Sequence, residues 1–254
     1  MVKTVALIPA RSGSKRIKSK NIRDFCGHPL IAYTIQQAKD TNYFDSIVVS
    51  TEDPKTGEIA EKYGASVIYR PQSAALDFSC DYEWMVHAKN ELGLSDDIYC
   101  ILRPTSPFRS ISTIIWGIEM LKRQKCDSVR AIKAVSENPY KAWKYHKFED
   151  GSGKIVPLFK LCNKIMRFIR KTYNYLFGTK QYDMPTQALP QAWIQTGGLQ
   201  VGWTRNIKNG DISGENIMGV IQHDHETMDL NTENDWEYAE WLVKSGKATL
   251  PTIE

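Results

Sequence analysis

The stretch TVALIPARSGSKRIKSKN, residues 4–21, joins a short apolar run to a loop of small and basic residues. The run from Val5 to Ile8 is rich in aliphatic and β-branched residues, which is typical of a buried strand. The loop that follows carries five cations, Arg11, Lys15, Arg16, Lys18 and Lys20. A strand that ends in such a loop indicates an α/β protein whose chemistry lies at the carboxyl end of the strand.

The first half of the chain continues as alternating strands and helices. Further strands are predicted at 47–50, 67–69, 98–102 and 128–134, and helices at 29–38, 54–63, 81–92 and 111–121. Strands that alternate with helices over short connections predict a mostly parallel, Rossmann-like sheet with helices on both faces. A strand at 218–222 and a helix at 233–243 complete the predicted elements.

The basic loop has the composition of a phosphate-binding loop. The backbone N–H groups of Ser12, Gly13 and Ser14 can approach an anion closely, and Gly13 can adopt positive φ. Lysine and arginine supply the charge that a polyphosphate requires. The loop is neither a Walker A motif nor a GxGxxG fingerprint, which argues against a nicotinamide oxidoreductase. A solvated basic loop is the alternative.

Composition and charge exclude several classes of protein. The chain has 254 residues and a net charge of +4, but residues 151–182 hold seven basic and no acidic residues, which leaves 26 basic and 29 acidic residues elsewhere. A local excess of this kind does not indicate a nucleic-acid-binding fold. No apolar run reaches the length of a membrane span, and the first residues lack a secretory signal, so a cytoplasmic protein is expected. The five cysteines show no metal-ligand spacing.

Residues 140–190 form an excursion from the alternating pattern. Apolar residues recur there at helical spacing, at Leu158, Leu161, Cys162, Ile165, Phe168, Ile169, Tyr173 and Leu176. This stripe predicts a helix that packs on the parent domain or on a second subunit, and hence a homodimer or homotetramer. A membrane-surface helix and an anion-binding helix are the alternatives.

Three motifs together resemble the CMP-sugar-acid synthetases, the acylneuraminate cytidylyltransferase family, which is related to CMP-3-deoxyoctulosonate synthetase. The first is the run after the opening strand, where Ala10, Arg11, Ser14, Lys15, Lys20 and Asn21 match the family pattern. The second is Arg70-Pro71 and the third is Pro104-Thr105-Ser106-Pro107-Phe108-Arg109. Each motif follows a predicted strand, and they occur in the family's order.

The resemblance implies a fold of the nucleotide-diphospho-sugar transferase type, with residues 1–254 as one nucleotidyltransferase domain. It implies that CTP binds over the first loop and that a hydroxyl of an acidic sugar attacks the α-phosphate, with Mg²⁺ present and pyrophosphate released. Catalysis of this type depends on positioning and charge neutralisation. By similarity, Arg11 and Lys20 stabilise phosphate charge, and Ala10, Lys15 and the 12–14 backbone assist. Asn21 contacts the nucleotide, and Arg70 lies near the base or ribose.

The sugar-binding part of the family pattern is altered in this chain. Thr186 and Ile194 stand where sialate-type members carry arginines. Arginine is the natural partner of a carboxylate, so another cation must serve the acid or the acceptor differs. Arg103, which stands in the usual glutamine position, and Arg205 are the candidates. The predicted substrate-binding set is Arg103, Thr105, Ser106, Gln191 and Gln195.

A second departure from the family pattern lies in its acidic motif. The pattern Asp-x-Asp-Thr becomes Asp229-Leu230-Asn231-Thr232. By similarity Asp229 is a catalytic or metal-binding carboxylate and Asn231 a second, uncharged metal ligand. Loss of one charge predicts weaker Mg²⁺ binding. Independently of the resemblance, Thr232 and Asp235 have the spacing of a capping box that opens the last helix.

The sequence is also compatible with three other functions. A nucleotidyltransferase that acts on a sugar 1-phosphate would account for the missing arginines. A nucleotide-binding homologue without turnover would account for Asn231. A nucleic-acid or membrane-surface protein would use the basic segment 154–171.

Overall fold

The structure, a computed structural model, describes residues 2–149, 152–160, 165 and 179–253. The chain divides into two compact units. The first comprises Met1–Lys133 and Gln195–Glu254, and the second comprises Ala134–Ile194. We refer to them as the main unit and the inserted unit.

Seven strands form the sheet of the main unit, in the order β11-β7-β10-β6-β1-β4-β5. Strand β1 pairs in parallel with β4 and β6, β4 pairs in parallel with β5, and β11 with β7, whereas β10 runs antiparallel to β6. The predicted mostly parallel sheet is confirmed. The strands in chain order, with the short hairpins included, are β1 (Thr4–Pro9), β2 (Asp24–Phe25), β3 (His28–Pro29), β4 (Ser46–Thr51), β5 (Ser66–Tyr69), β6 (Ile98–Ile101), β7 (Ser128–Ala134), β8 (Trp143–Lys147), β9 (Gly153–Pro157), β10 (Trp193–Trp203) and β11 (Ile217–Ile221).

Helices cover both faces of this sheet because alternate residues of each strand point to opposite sides. Ala6 and Ile8 of β1 belong to one buried cluster, and Val5 and Leu7 belong to another. The first cluster packs against α1, α2 and α4, and the second packs against α3. The helices in chain order are α1 (Leu30–Thr41), α2 (Pro54–Lys62), α3 (Asp81–Glu91), α4 (Ile111–Arg123) and α5 (Glu233–Lys244).

Local sequence signals account for the ends of several helices. The Asp53 carboxylate accepts a hydrogen bond from the Thr56 N–H at 2.9 Å, and Pro54 occupies the first turn of α2. Gly64 follows that helix with φ +84°. The predicted capping box is present at the start of α5, where the Thr232 and Asp235 side chains each accept a hydrogen bond from the other residue's backbone N–H.

Strand β10 was not predicted from the sequence. It lies between β7 and β6 in the sheet and contains three glycines, Gly197, Gly198 and Gly202, which are unusual inside a strand. Tertiary contacts explain two of them. A Cβ atom on Gly202 would lie 2.5 Å from the Tyr99 hydroxyl, and one on Gly198 would lie 2.6 Å from the Gln222 amide.

The described part of the inserted unit contains an antiparallel hairpin of β8 and β9 and three short 3₁₀ turns, Pro139–Lys141, Gln181–Asp183 and Thr186–Ala188. The helix predicted from the apolar stripe lies outside the described residues, apart from Leu158 and Ile165. Leu158 follows β9 in a bend, so the predicted helix does not include it. Within the described part of the chain, no helix combines the length and apolarity that crossing a membrane requires.

Candidate functional site

A cavity of about 320 Å³ opens at the carboxyl ends of β1, β5 and β6. We call it the central cavity. Its walls are formed by the loops that follow these three strands and by the segment that precedes α5. Among the residues predicted for the site, the central cavity is lined by Arg11, Ser14, Lys20, Asn21, Arg70, Arg103, Thr105, Asp229 and Asn231.

The loop after β1 is held in shape by its own hydrogen bonds. The Asn21 side-chain amide donates to the Arg11 carbonyl at 3.0 Å, and the Ser14 N–H donates to the Ser12 carbonyl at 2.8 Å. The chain turns through Ser19, whose φ is 52°. Gly13 is not among the residues with positive φ, so the loop does not use the left-handed conformation that glycine permits. Asn21 therefore positions the loop that carries Arg11.

Ser12 and Arg70 meet at the buried carboxylate of Glu52. The Ser12 N–H and hydroxyl both donate to Glu52 Oε1, at 2.7 and 2.8 Å, so they are not free for a phosphate. Arg70 Nε lies 3.5 Å from Glu52 Oε2, and both side chains are buried. Burial lowers the pKa of Arg70, and the charge of Glu52 opposes that shift.

Arg70 retains unused hydrogen-bond donors at the central cavity. Its side chain is only 3% exposed, and neither Nε nor Nη2 has a hydrogen-bond partner within the described residues. Buried polar groups are nearly always paired, because an unpaired group loses its hydration without compensation. Nε faces the Glu52 carboxylate, so it is the unpaired Nη2 that indicates a ligand with acceptor atoms, as the carbonyl and hydroxyl groups of a nucleoside provide.

Asp77 neutralises two of the cations predicted to bind phosphate. Its carboxylate accepts from Arg11 Nη1 at 2.9 Å and pairs with Lys15 Nζ. Hydrogen bonds from Lys15 and Arg11 lower the pKa of Asp77. All three side chains are accessible to solvent, so a polyanion can displace Asp77 from both cations.

Lys20 reaches across the central cavity to the segment before α5. Its Nζ donates to the Leu230 carbonyl at 2.8 Å, and the Leu230 N–H donates to the Thr105 carbonyl at 2.8 Å. Leu230 is itself fully buried in the cluster around Trp236. Burial lowers the pKa of Lys20, and the charge of Asp229 opposes that shift. A partly buried ammonium whose pKa is lowered by burial gains by binding a further anion.

Asp229 has one carboxylate oxygen that is paired and one that is not. Oδ2 accepts from the Asn231 amide at 2.8 Å, whereas Oδ1 is buried and has no hydrogen-bond donor among the described residues. Asn231 Oδ1 accepts from Arg16 Nη2 at 3.4 Å. Asn231 thus orients Asp229 through its amide and turns its own oxygen towards Arg16. Oδ1 of Asp229 is free to receive a proton donor or a metal ion.

A second, smaller cavity of about 160 Å³ shares two of its residues, Asp81 and Arg103, with the central cavity. We call it the side cavity. Arg103 pairs with Asp81, which also accepts from the Trp84 indole at 2.9 Å. Gln195, predicted to bind substrate, lines the side cavity. Of the predicted acceptor residues, Arg103 and Thr105 therefore line the central cavity, and Arg103 and Gln195 line the side cavity.

Arg109, the last residue of the third motif, fixes the loop between β6 and α4. It is buried and donates to the carbonyls of Arg103 and Gly198 and to the side chain of Gln37. Burial lowers the pKa of Arg109 to about 10. The contacts of Arg109 with backbone carbonyls hold Arg103 and the start of β10 in register.

Several predicted residues do not line the central cavity. Ala10 and Ser106 are buried, Gln191 is exposed in the inserted unit, and Lys15 and Gly13 are exposed in the loop. Arg205 lines neither cavity, because it pairs with Asp96 and its guanidinium lies 4.4 Å from the Trp203 ring. Of the two candidate cations for the acceptor, only Arg103 reaches the site.

Four charged residues of the two cavities and their surroundings were not predicted from the sequence: Glu52, Asp77, Asp81 and Arg130. None of them belongs to a motif, and each meets its partner through long-range packing. The sequence does contain one indication of two of them, because Asp77 and Asp81 lie in or just after the loop that Arg70-Pro71 begins.

A larger cavity of about 740 Å³ lies elsewhere in the main unit, between α4, β11 and residues 247–249. Its lining includes Trp116, His223, His225 and Glu226. Within the described residues, no group of three or more histidine, cysteine or acidic side chains is arranged to hold a metal ion. Charge therefore distinguishes the central cavity, where cations from three loops converge, from this larger one.

Comparisons with known proteins agree with this geometry. The chain is 37% identical over 127 residues to N-acylneuraminate cytidylyltransferase of Escherichia coli, covering 49% of this chain and 30% of that protein. It is 27% identical over 248 residues to pseudaminic acid cytidylyltransferase of Campylobacter jejuni, covering 96% of this chain and 97% of the relative. The chain thus spans about a third of the first relative's length and nearly all of the second's.

The fold also resembles a solved structure of CMP:2-keto-3-deoxy-manno-octonic acid synthetase complexed with CTP. The two share a TM-score of 0.66 at 15% identity, over 96% of this chain and 99% of the other. A family model described as cytidylyltransferase matches residues 5–150, which include all the strands and loops that form the central cavity up to Arg109. With more than half of its length matched, this chain belongs to the cytidylyltransferase family.

Proposed function

We propose that this protein transfers CMP from CTP to an acidic sugar of the ulosonic class and releases pyrophosphate. The observation that carries the proposal is the convergence of Arg11, Lys20, Arg70 and Asp229 on one cavity in a chain of the cytidylyltransferase family. Relatives named for N-acylneuraminate, pseudaminic acid and diacetyllegionaminic acid support an acidic acceptor.

The triphosphate lies against the loop after β1 in this proposal. Arg11 and Lys20 carry the charges that face it, and Asn21 holds the Arg11 backbone in place. Phosphoryl-type transfer requires charge neutralisation and an in-line arrangement more than covalent participation by the protein. Lys20 contributes most, because burial strengthens its interaction with an anion.

The nucleoside lies against Arg70. The unpaired Nη2 of that side chain donates to an acceptor atom of the base or ribose, while Nε stays directed at Glu52. Arg70 is fixed by Glu52, and Glu52 is fixed by the loop through Ser12. The same carboxylate thereby couples the positions of the nucleoside and the phosphate loop.

The transfer step forms one bond and breaks one. The acceptor hydroxyl oxygen bonds to the α-phosphorus, the bond from that phosphorus to the oxygen bridging to the β-phosphate breaks, and pyrophosphate leaves with that oxygen. The hydroxyl proton passes to water. Arg11 and Lys20 stabilise the charge that accumulates on the phosphate oxygens during this exchange.

A divalent metal ion fits the residues at Asp229. The free, buried Oδ1 of Asp229 provides one carboxylate ligand, and a magnesium site commonly uses one or two carboxylates together with substrate phosphates. Mg²⁺ held by Asp229 would neutralise charge on the triphosphate. Asn231 would contribute its side-chain oxygen only after releasing Arg16, so Asp229 is the principal protein ligand in this proposal.

The assembly of the protein remains a prediction. A homodimer or homotetramer formed through residues 140–190, and a cytoplasmic location, follow from the sequence arguments above. Sedimentation equilibrium of the full chain measures the first directly, and a monomer at micromolar concentration would contradict it.

A substrate screen tests the proposed function. Pyrophosphate release is measured for CTP, ATP, GTP and UTP, each with N-acetylneuraminic, pseudaminic, legionaminic and 3-deoxy-octulosonic acids and with sugar 1-phosphates. The proposal expects release with CTP and at least one of the acids. Release only with a sugar 1-phosphate would overturn it, and CTP binding without release that Asn231→Asp restores would identify a homologue that has lost turnover.

A further inference from the structure

The side cavity contains more positive than negative charge. It is lined by Asp81, Ile101, Arg103, Arg130, Gln195, Thr196, Gly197, Leu199 and Gln200. Asp81 is the single carboxylate in this lining, and it is already bound by Arg103 and by the Trp84 indole. No carboxylate of this lining is therefore left to pair with Arg130.

Arg130 is held in place entirely by neutral groups. Its Nη1 donates to Gln195 Oε1 and its Nη2 donates to the Ser213 hydroxyl at 2.6 Å. Its Nε is buried without a hydrogen-bond partner in the described part of the chain, where no carboxylate lies within ion-pair distance of it. Asp211 interacts with Arg130 at longer range, but its carboxylate accepts from the N–H groups of Ser213 and Gly214.

A partly buried guanidinium that has only neutral partners is suited to bind an anion. Removing a cation from water without a counter-charge is costly, and a carboxylate is the geometric match for the planar fork of arginine. The volume of about 160 Å³ is too small for a whole sugar acid and is suited to its carboxylate end. Net charge, donor geometry and size thus point to one carboxylate.

We propose that Arg130 binds the carboxylate of the sugar-acid acceptor and determines the preference for acids, an inference that rests on the proposed function. In a ulosonic acid the carboxylate and the attacking anomeric hydroxyl are attached to the same carbon. Holding the carboxylate in the side cavity places that hydroxyl at the wall formed by Arg103, which the central cavity shares. The hydroxyl oxygen then faces the α-phosphorus of CTP.

This assignment accounts for the altered sugar motif. Thr186 and Ile194 stand where arginines were expected, and Arg103, which also lines the side cavity, is paired with Asp81. Arg130 comes from β7, a strand outside every motif of the family pattern. Because the family motifs do not include β7, a carboxylate-binding arginine on this strand cannot be recognised from them.

The test compares an acid acceptor with its amide in matched variants. The acceptor is the acid with the highest kcat/KM in the screen above, together with the derivative in which a carboxamide replaces its carboxylate. Steady-state kinetics are measured for the wild type, Arg130→Met, Arg130→Lys and the control Arg123→Met, an exposed arginine of α4 that pairs with Glu119. CTP affinity is measured separately by calorimetry.

Arg130→Met is expected to raise KM for the acid ~100-fold, the size of a lost charge-assisted hydrogen-bond pair, while the affinity for CTP changes by less than about twofold. The wild type should prefer the acid to the amide, and Arg130→Met should lose that preference. Arg130→Lys should keep part of it because the charge remains. The control variant should behave as the wild type does.

Two results would overturn the proposal. Arg130→Met could keep the full preference for the acid, or it could weaken acid, amide and CTP binding equally, which would identify a purely structural role. If Arg130→Met does not fold, Arg130→Lys decides by the same ratio of acid to amide. Failure of the proposed function is recognised separately, because the wild type itself would then release no pyrophosphate with any of the acids.

Discussion

Replacing Asn231 by aspartate probes the centre of the proposed site. The Asn231 amide donates to Asp229 Oδ2 at 2.8 Å, and its oxygen accepts from Arg16 at 3.4 Å. Asn231→Asp removes the donor and places a second negative charge beside the first. We therefore expect the substitution to destabilise the protein when no divalent cation is bound and to strengthen the binding of such a cation.

The magnitude follows from these contacts. The lost hydrogen bond to a charged acceptor costs ~1.5–3 kcal/mol. Repulsion between two carboxylates about 4 Å apart adds up to ~4 kcal/mol at an effective dielectric constant of about 20. Arg16 and Lys20 lie close by, and one carboxyl of such a pair can bind a proton, so we expect a net loss of ~2 kcal/mol in the free energy of unfolding without Mg²⁺.

Two assays measure this effect. Urea unfolding in EDTA gives the loss of stability, and Mg²⁺ titration of pyrophosphate release gives the half-saturating concentration, which should fall ~10-fold because a second carboxylate becomes a ligand. Asn234→Asp is the matched control, since it adds the same charge at an exposed position of α5. Equal Mg²⁺ dependence in wild type and Asn231→Asp, with unchanged stability, would refute this reasoning.

Three further predictions concern the cations of the central cavity. Because burial lowers the pKa of Lys20, its charge is lost at a lower pH than the charge of an ordinary lysine, so the affinity for CTP, measured by calorimetry, should fall as pH rises through that pKa. Lys20→Arg should keep its affinity for CTP at alkaline pH. An identical pH profile in the two proteins would contradict this prediction. Arg70→Met should raise the Kd for CTP ~100-fold by removing buried donors, whereas Arg205→Met, a surface control, should leave it unchanged. Asp77→Asn frees Arg11 from a competing carboxylate and should lower KM for CTP by less than about tenfold. This effect should disappear at high salt. A higher KM would show that Asp77 assists CTP binding.

Most of the fold could be predicted from the sequence because its signals are local. Each strand and helix predicted before residue 135 is present within three residues at either end. Apolar runs, Pro54 and the capping residues act over a few positions, so they can be recognised without knowledge of the tertiary structure. Strand β10 was not predicted because two of its glycines are required by close contacts with Tyr99 and Gln222, which are distant in sequence.

The site was predictable where it is built from one loop and not where it is built from several. Arg11, Lys20 and Asp229 reach the central cavity as their motifs indicated. Ser12 does not offer its N–H to a ligand, because Glu52 from another loop binds it, and no sequence pattern connects the two. The roles of Asp81 and Arg130 likewise depend on which strands the sheet places side by side.

A crystal structure of the protein with CTP and Mg²⁺ tests the central claim most directly. The account predicts the triphosphate against Arg11 and Lys20, with Asp77 displaced and with Arg70 donating to the nucleoside. Nucleotide bound in the 740 Å³ cavity beside Trp116, with the central cavity empty, would contradict the account.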